Sequence, residues 1–158
     1  MDITFRTVEG LFNYRVCAVI INKKRLLAMR DERSPYYYLP GGRVKLHETA
    51  EEAVIRELKE ELKIEATIDR ALWLNQNYFV EDVNKEKYHE ICLYFLMDVS
   101  RTKLLTEGDT FEVREGNKIL VFEWLHFEEL ESRYFYPLFI KKEIFSLPKH
   151  LTLTSECK

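Results

Sequence analysis

Residues 49–62 constrain the fold most, because they read as one capped amphipathic helix set between runs suited to strands. Thr49-Ala50-Glu51-Glu52 matches a capping box, in which the threonine hydroxyl and the glutamate carboxylate each satisfy a backbone N–H of the first turn. The helix is predicted to run to about Leu62. At about 100° per residue, Val54, Leu58 and Leu62 form an apolar stripe beside Ala50, which must lie on a sheet.

The flanking runs supply that sheet. Tyr14–Ile21 is apolar and β-branched, as a buried strand requires. Asn22-Lys23-Lys24 reads as a turn, Arg25–Arg30 as a returning strand and Tyr36–Leu39 as a short aromatic strand stopped by Pro40-Gly41-Gly42. Ile64–Val80 reads as extended, with Asp69-Arg70 as a candidate interruption, and residues 81–87 as a polar hairpin loop. Glu90–Val99 and Lys118–Leu125 read as further strands, and Ser100–Asn117 as polar and irregular. Short helices are expected at Phe127–Glu131 and from Pro137, while residues 149–158 carry no strong signal. Strands outnumber helices without regular alternation, which predicts a layered α+β (α/β/α) domain on a mixed β-sheet. With no repeat or linker-like stretch, residues 1–158 are expected to form one domain.

Composition narrows the function. No apolar run reaches the roughly 18 residues of a membrane span, and the first residues lack the plan of a secretory signal. The formal charge of −3 argues against nucleic acid as the main partner, since phosphate binding calls for a basic excess. Cys17, Cys92 and Cys157 are an odd set without a close pair, which argues against a disulfide framework and fits a cytoplasmic setting.

The helix carries one anomaly. Glu57 and Glu61 border its apolar stripe instead of the solvent face held by Glu52, Lys59 and Lys63, and Glu60 lies beside them. Like charges at i and i+4 repel, more so near a low-dielectric core. Three converging carboxylates are an oxygen donor set that Mg²⁺ or Mn²⁺ prefers. Arg56 projects away from the face shared by Glu57 and Glu61 and is expected to orient a glutamate. The preceding Pro-Gly-Gly turn allows bare backbone to approach a ligand.

Gly42, Glu48, Arg56-Glu57-Leu58, Glu60-Glu61 and Ile64 together resemble the signature of the Nudix hydrolases, with Lys63 where that signature has a glycine and His47 where members often carry another. Leu39-Pro40-Gly41 resembles its lead-in. The resemblance implies the Nudix fold and metal-dependent hydrolysis of a pyrophosphate bond in a nucleoside diphosphate linked to another moiety. ADP-ribose, a nucleotide sugar and a nucleoside triphosphate are its candidate small nucleotide substrates. It implies Glu57, Glu60 and Glu61 as metal ligands, completed by the Gly41 carbonyl. Glu57 is also a candidate base, and Glu48 is implied to pair with Arg56. An acid outside the motif often assists: Glu90 after His89 is the first choice, ahead of Glu123 and Glu115. Arg30, Arg33 and Arg43 flank the loop as candidate phosphate clamps, and Tyr38 and Phe79 are candidate stacking rings. Members often pair as homodimers. Two other readings remain: a nucleotide-sensing domain without turnover, and an RNA-end-processing pyrophosphohydrolase.

Overall fold

The computed structural model describes residues 1–82 and 84–157. Val83, in the expected 81–87 hairpin loop, and Lys158, at the end of the signal-free tail, lie outside the described residues. The strands are β1 (Thr4–Arg6), β2 (Leu11–Val19), β3 (Ile21–Asn22), β4 (Arg25–Arg30), β5 (Gly41–Arg43), β6 (Thr67–Val80), β7 (Lys87–Asp98), β8 (Thr110–Glu115), β9 (Lys118–His126) and β10 (Thr152–Cys157). The helices are α1 (Ala50–Leu62) and α2 (Ile140–Glu143), with 3₁₀ turns at Leu104–Thr106 and Phe127–Ser132.

Among the described residues the strands form two sheets. The larger runs β1-β2-β7-β6-β10, with β5 also paired to β2, and the smaller runs β3-β4-β9-β8. The larger is mixed: β2 with β7 and β6 with β10 are parallel, the other pairs antiparallel. Side-chain alternation along β2 shows how the layers form. Val16 and Ala18 join the core beneath α1, with Val54, Leu58 and Leu62. Cys17 and Val19 face the other side, packing with Leu130, Ile140 and Ile144 from the C-terminal turns and α2. Helical material thus covers both faces, as the layered expectation required.

Several departures have local causes. The expected Tyr14–Ile21 strand ends at Val19, and Ile21-Asn22 pairs with β4 in the other sheet. Tyr36–Leu39 makes only isolated bridges, Met29 with Tyr38 and Tyr37 with Phe135. Gly41–Arg43 is an edge strand on β2 and not merely a stop. The stretch taken as irregular contains β8, whose Phe111 and Val113 pack inward while Glu112 and Arg114 are exposed. β10 is a largely exposed edge strand, so it shows no apolar run to read. The interruption at Asp69-Arg70 appears as a register shift between Ile68 and Arg70.

Helix α1 begins and ends as its sequence dictates. Thr49 Oγ1 accepts from the Glu52 N–H at 3.1 Å, and Glu52 Oε2 accepts from the Thr49 N–H at 3.0 Å. Lys63 caps the other end in the left-handed region, with φ 58° and ψ 34°, and its ammonium donates to the Glu60 carbonyl at 2.7 Å. A non-glycine residue there costs about 1 kcal/mol. Lys63→Gly is therefore expected to stabilise the protein by up to about 1 kcal/mol, raising Tm by about 2–4 °C in thermal denaturation.

Candidate active site

The site is built where α1 crosses β5. Glu61 is 8% exposed, and its Oε1 accepts from the Gly41 N–H at 2.9 Å. Burial, then the charges of Glu57 and Glu115, push its carboxyl well above the usual carboxylate range, against the Gly41 N–H. Glu57 is raised in the same direction by burial, opposed by Arg56, with Glu60 and Glu115 adding to the rise. Glu57, Glu61 and Glu115 thus act on one another through a partly desolvated space. Glu60 is more open, its side chain 47% exposed.

Arg56 fixes the loop to the helix. Its Nε and Nη2 donate to the two oxygens of Glu48 at 2.6 and 2.9 Å, and Nη2 also donates to the Arg43 carbonyl at 3.1 Å. Glu48 Oε1 accepts from the Lys45 N–H at 3.0 Å. Bonding to Arg56 holds the Glu48 carboxyl below its ordinary value. The expected Glu48–Arg56 pair is therefore present. Arg56 reaches further than its helical projection suggested, donating from Nη1 to Glu57 Oε1 at 2.9 Å.

Among the described residues no three Asp, Glu, His or Cys side chains converge closely enough to hold a metal ion by themselves. The donor chemistry nevertheless fits a hard divalent cation. Glu57 and Glu61 present carboxylate oxygens whose mutual repulsion such an ion would relieve. Magnesium is commonly bound through one or two carboxylates, with water and substrate phosphates filling the remaining positions. Gly42 adds a cradle, since a Cβ there would overlap the Glu57 carboxyl.

The other anticipated residues are dispersed. Arg33 lines a cavity of about 380 Å³ that extends past Glu115 to Ile119, and the helix acids Glu57, Glu60 and Glu61 do not line it. Arg30 is exposed and lies over the Tyr37 ring, 5.8 Å from its centroid. The Arg43 guanidinium lies 3.9 Å from Asp2. The Tyr38 hydroxyl donates to Asp31 at 3.0 Å, and its ring packs against the core beneath α1. Phe79 stacks on Tyr88 with centroids 5.1 Å apart.

The structure does not bring Glu90 to the helix acids. It pairs in register with Asn13 and shares its side of β7 with Cys92 and Tyr94, on the sheet face away from α1. Its Oε2 accepts from Asn13 Nδ2 at 2.8 Å. Glu123 accepts from Tyr37 and Arg133, at 3.0 and 2.8 Å, and is engaged there. Glu115 is the outside acid that faces Glu57 and Glu61. Its position follows from the β8–β9 register, which the chain's local pattern did not announce.

The capped helix α1 sets Glu57 and Glu61 against the glycine strand β5, and the NUDIX domain model covers residues 11–143. The chain belongs to the NUDIX family. As a Nudix hydrolase it acts on phosphorus-containing acid anhydrides. Its fold is similar to that of a MutT NUDIX hydrolase from Burkholderia pseudomallei, with 25% identity, TM-score 0.53, and coverage of 75% of this chain and 86% of the other. It is also similar to a mutator MutT protein from Bacillus halodurans, at 14% identity and TM-score 0.61, covering 92% and 89%. An ADP-ribose pyrophosphatase from Streptococcus suis 89-1591 matches at 14% identity and TM-score 0.57, covering 91% and 98%. No curated protein matches the chain in sequence. Among the described residues no helix is long and apolar enough to cross a membrane.

The two glycines of this Nudix loop predict a contrast. An added Cβ at Gly42 meets first the Glu57 carboxyl, at the far end of a side chain, whereas at Gly41 it meets the Val16 carbonyl and Cys17 Cα of the neighbouring strand. Gly42→Ala is expected to lower turnover at least tenfold with Tm changed by under about 2 °C, because it displaces a carboxylate and little else. Gly41→Ala is expected to lower Tm as well, because backbone must move. Paired activity and melting measurements check both.

Proposed function

We propose that this Nudix chain hydrolyses the pyrophosphate bond of a small nucleotide with the help of Mg²⁺ or Mn²⁺. The substrate class is a nucleoside diphosphate linked to another moiety, such as ADP-ribose or a nucleotide sugar, or a nucleoside triphosphate. The observation carrying this reading is the buried Glu61, tied to the Gly41 N–H and repelled by Glu57 and Glu115. An acid kept in that position has a reason to be there if a cation is to meet it.

Glu57 and Glu61 would hold the ion, with exposed Glu60 and the Gly41 backbone completing the set. When bound, a divalent cation neutralises phosphate charge and makes its bound water more acidic. The chain's own residues do the rest. Arg56 holds Glu57 in place and ties the loop to the helix through Glu48. Glu57 and Glu115 are the carboxylates available to accept a proton from attacking water, both facing the acid cluster where Glu90 does not. Arg33, which lines the same cavity as Glu115, would take a phosphate oxygen.

The test is a screen of purified protein against nucleoside triphosphates, nucleotide sugars, dinucleoside polyphosphates and ADP-ribose, with and without Mg²⁺ or Mn²⁺. Cleavage at the anhydride only when metal is present is expected. Nucleotide binding by calorimetry without cleavage of any member would replace this reading with a sensing role.

A further inference from the structure

The cavity of about 380 Å³ carries charges that the fold does not use. Asp31, Glu32 and Arg33 form one wall, and the β8–β9 turn from Glu115 to Ile119 forms the other. Both walls are tied to the layer that holds α1. Phe111 and Val113 pack against the core beneath the helix, and alternation along β8 puts Glu115 on their side of the strand. Phe111 to Arg114 share a second cavity with Leu62 to Ile64 at the end of α1. Glu115 comes next along β8 and acts on Glu57 and Glu61, within the last two turns of the helix. On the loop wall, Asp31 accepts from the Tyr38 hydroxyl, and the Tyr38 ring packs against the same core. Glu115 is thus common to the acid cluster and the cavity, while Glu57, Glu60 and Glu61 stay outside it.

The acids and the cations of the cavity are employed differently. Asp31 is engaged by its own loop: Oδ1 accepts from the Arg33 and Ser34 N–H groups at 2.7 and 2.9 Å, and Oδ2 accepts from Tyr38. Glu115 faces Glu57 and Glu61, so a cation held there would balance its charge. Glu32 is exposed. Arg33 and Lys118 are exposed as well, and among the described residues neither side chain makes an ion pair or a hydrogen bond. Lys118 is the register partner of Glu115, which sets it on the same side of the hairpin, yet the two do not pair. Two unpaired cations on different walls, beside a site for a metal-bound diphosphate, suit a further anion. A sugar would put neutral hydroxyls between them, whereas a phosphate would bond both with charge assistance.

We propose that Arg33 and Lys118 form a subsite for a phosphate carried beyond the two at the helix acids, which favours substrates with a third phosphate over ADP-ribose and nucleotide sugars. This rests on the nucleotide-hydrolase reading above and narrows it. Arg33 offers a planar fork to two phosphate oxygens, and Lys118 adds a point charge from the other wall. Both are specificity residues. They hold the outer phosphate, and the anhydride is broken at the acids.

The test measures binding to the whole protein by calorimetry, with Mg²⁺ present. The probes are inorganic triphosphate and diphosphate analogues with methylene groups in place of the bridging oxygens, so that neither cleavage nor a base enters. The unaltered protein is expected to bind the triphosphate analogue about tenfold or more tightly than the diphosphate analogue. Lys118→Gln is expected to weaken the triphosphate analogue about tenfold and the diphosphate analogue by less than about twofold, and Arg33→Gln to do the same. Lys118→Glu is expected to reverse the preference. Lys118 is exposed at a turn, so Tm is expected to stay within about 2 °C in both of its variants. Equal binding of the two analogues by the unaltered protein overturns the proposal. So does a Lys118→Gln protein that binds both as before, or one that loses both equally, because Lys118 would then act only through the overall charge. Metal-dependent cleavage of nucleotides alongside any of those three results refutes this inference and leaves the hydrolase reading standing. Lys118-dependent selection of the triphosphate analogue, in a protein that cleaves nothing in the nucleotide screen, does the reverse.

Discussion

Replacing Glu61 with Gln is expected to reduce turnover by about 100-fold or more and at the same time make the metal-free protein harder to denature. The two effects share one cause. Burial and the charges of Glu57 and Glu115 raise the Glu61 carboxyl, so its ionised form is disfavoured in the folded state. Between its unfolded value near 4.3 and the raised folded value, the native protein keeps a proton that the unfolded chain has released. Stability therefore falls as pH rises through that window, and the loss is complete above the folded value. Gln cannot ionise, so the variant should show a flatter pH–stability curve above about pH 4.5. It should also gain less from added Mg²⁺, because the ion's stabilising effect comes from binding the ionised acids of the native state. Urea denaturation from pH 4.5 to 8, with and without Mg²⁺, measures all of this. Full turnover in Glu61→Gln would remove Glu61 from the metal-binding set.

That prediction was legible in the sequence because its cause is local. The capping box, the apolar stripe and the misplaced Glu57 and Glu61 all lie within one helix of 13 residues, where spacing fixes direction. Glu48 and Arg56 are eight residues apart and bound to one another, again within the motif's reach. What the chain's pattern did not carry was long-range register. Glu90 and Glu115 are both acids near strand ends, and nothing in their neighbours says which side of a sheet they occupy. Pairing of β2 with β7 sends Glu90 away from α1, and pairing of β8 with β9 brings Glu115 towards it. β10 was missed because an exposed edge strand has no buried face to reveal it.

Removing Arg56 is expected to have the largest effect on stability. Arg56→Ala should cost about 2–4 kcal/mol, because it strands Glu48 and Glu57, whose side chains are each only 15% exposed. Arg56→Lys should recover little of it. An ammonium cannot bridge both Glu48 oxygens while also bonding the Arg43 carbonyl and Glu57, which the planar fork does at once. The pH dependence identifies the cause. Arg56 holds the Glu48 carboxyl below its ordinary value, so the pair contributes stability that is complete above the unfolded value near 4.3 and is lost as pH falls through the lowered folded value. In Arg56→Ala this acid-side loss should shrink, since the deficit is already present at pH 7. The Glu61 effect has the opposite sign and lies on the other side of pH 4.5. Urea denaturation from pH 2.5 to 8 on both variants therefore separates the acid that the loop anchors from the acid that awaits a cation. An Arg56→Lys protein as stable as the unaltered one across that range would show that charge alone, without the fork, joins loop to helix.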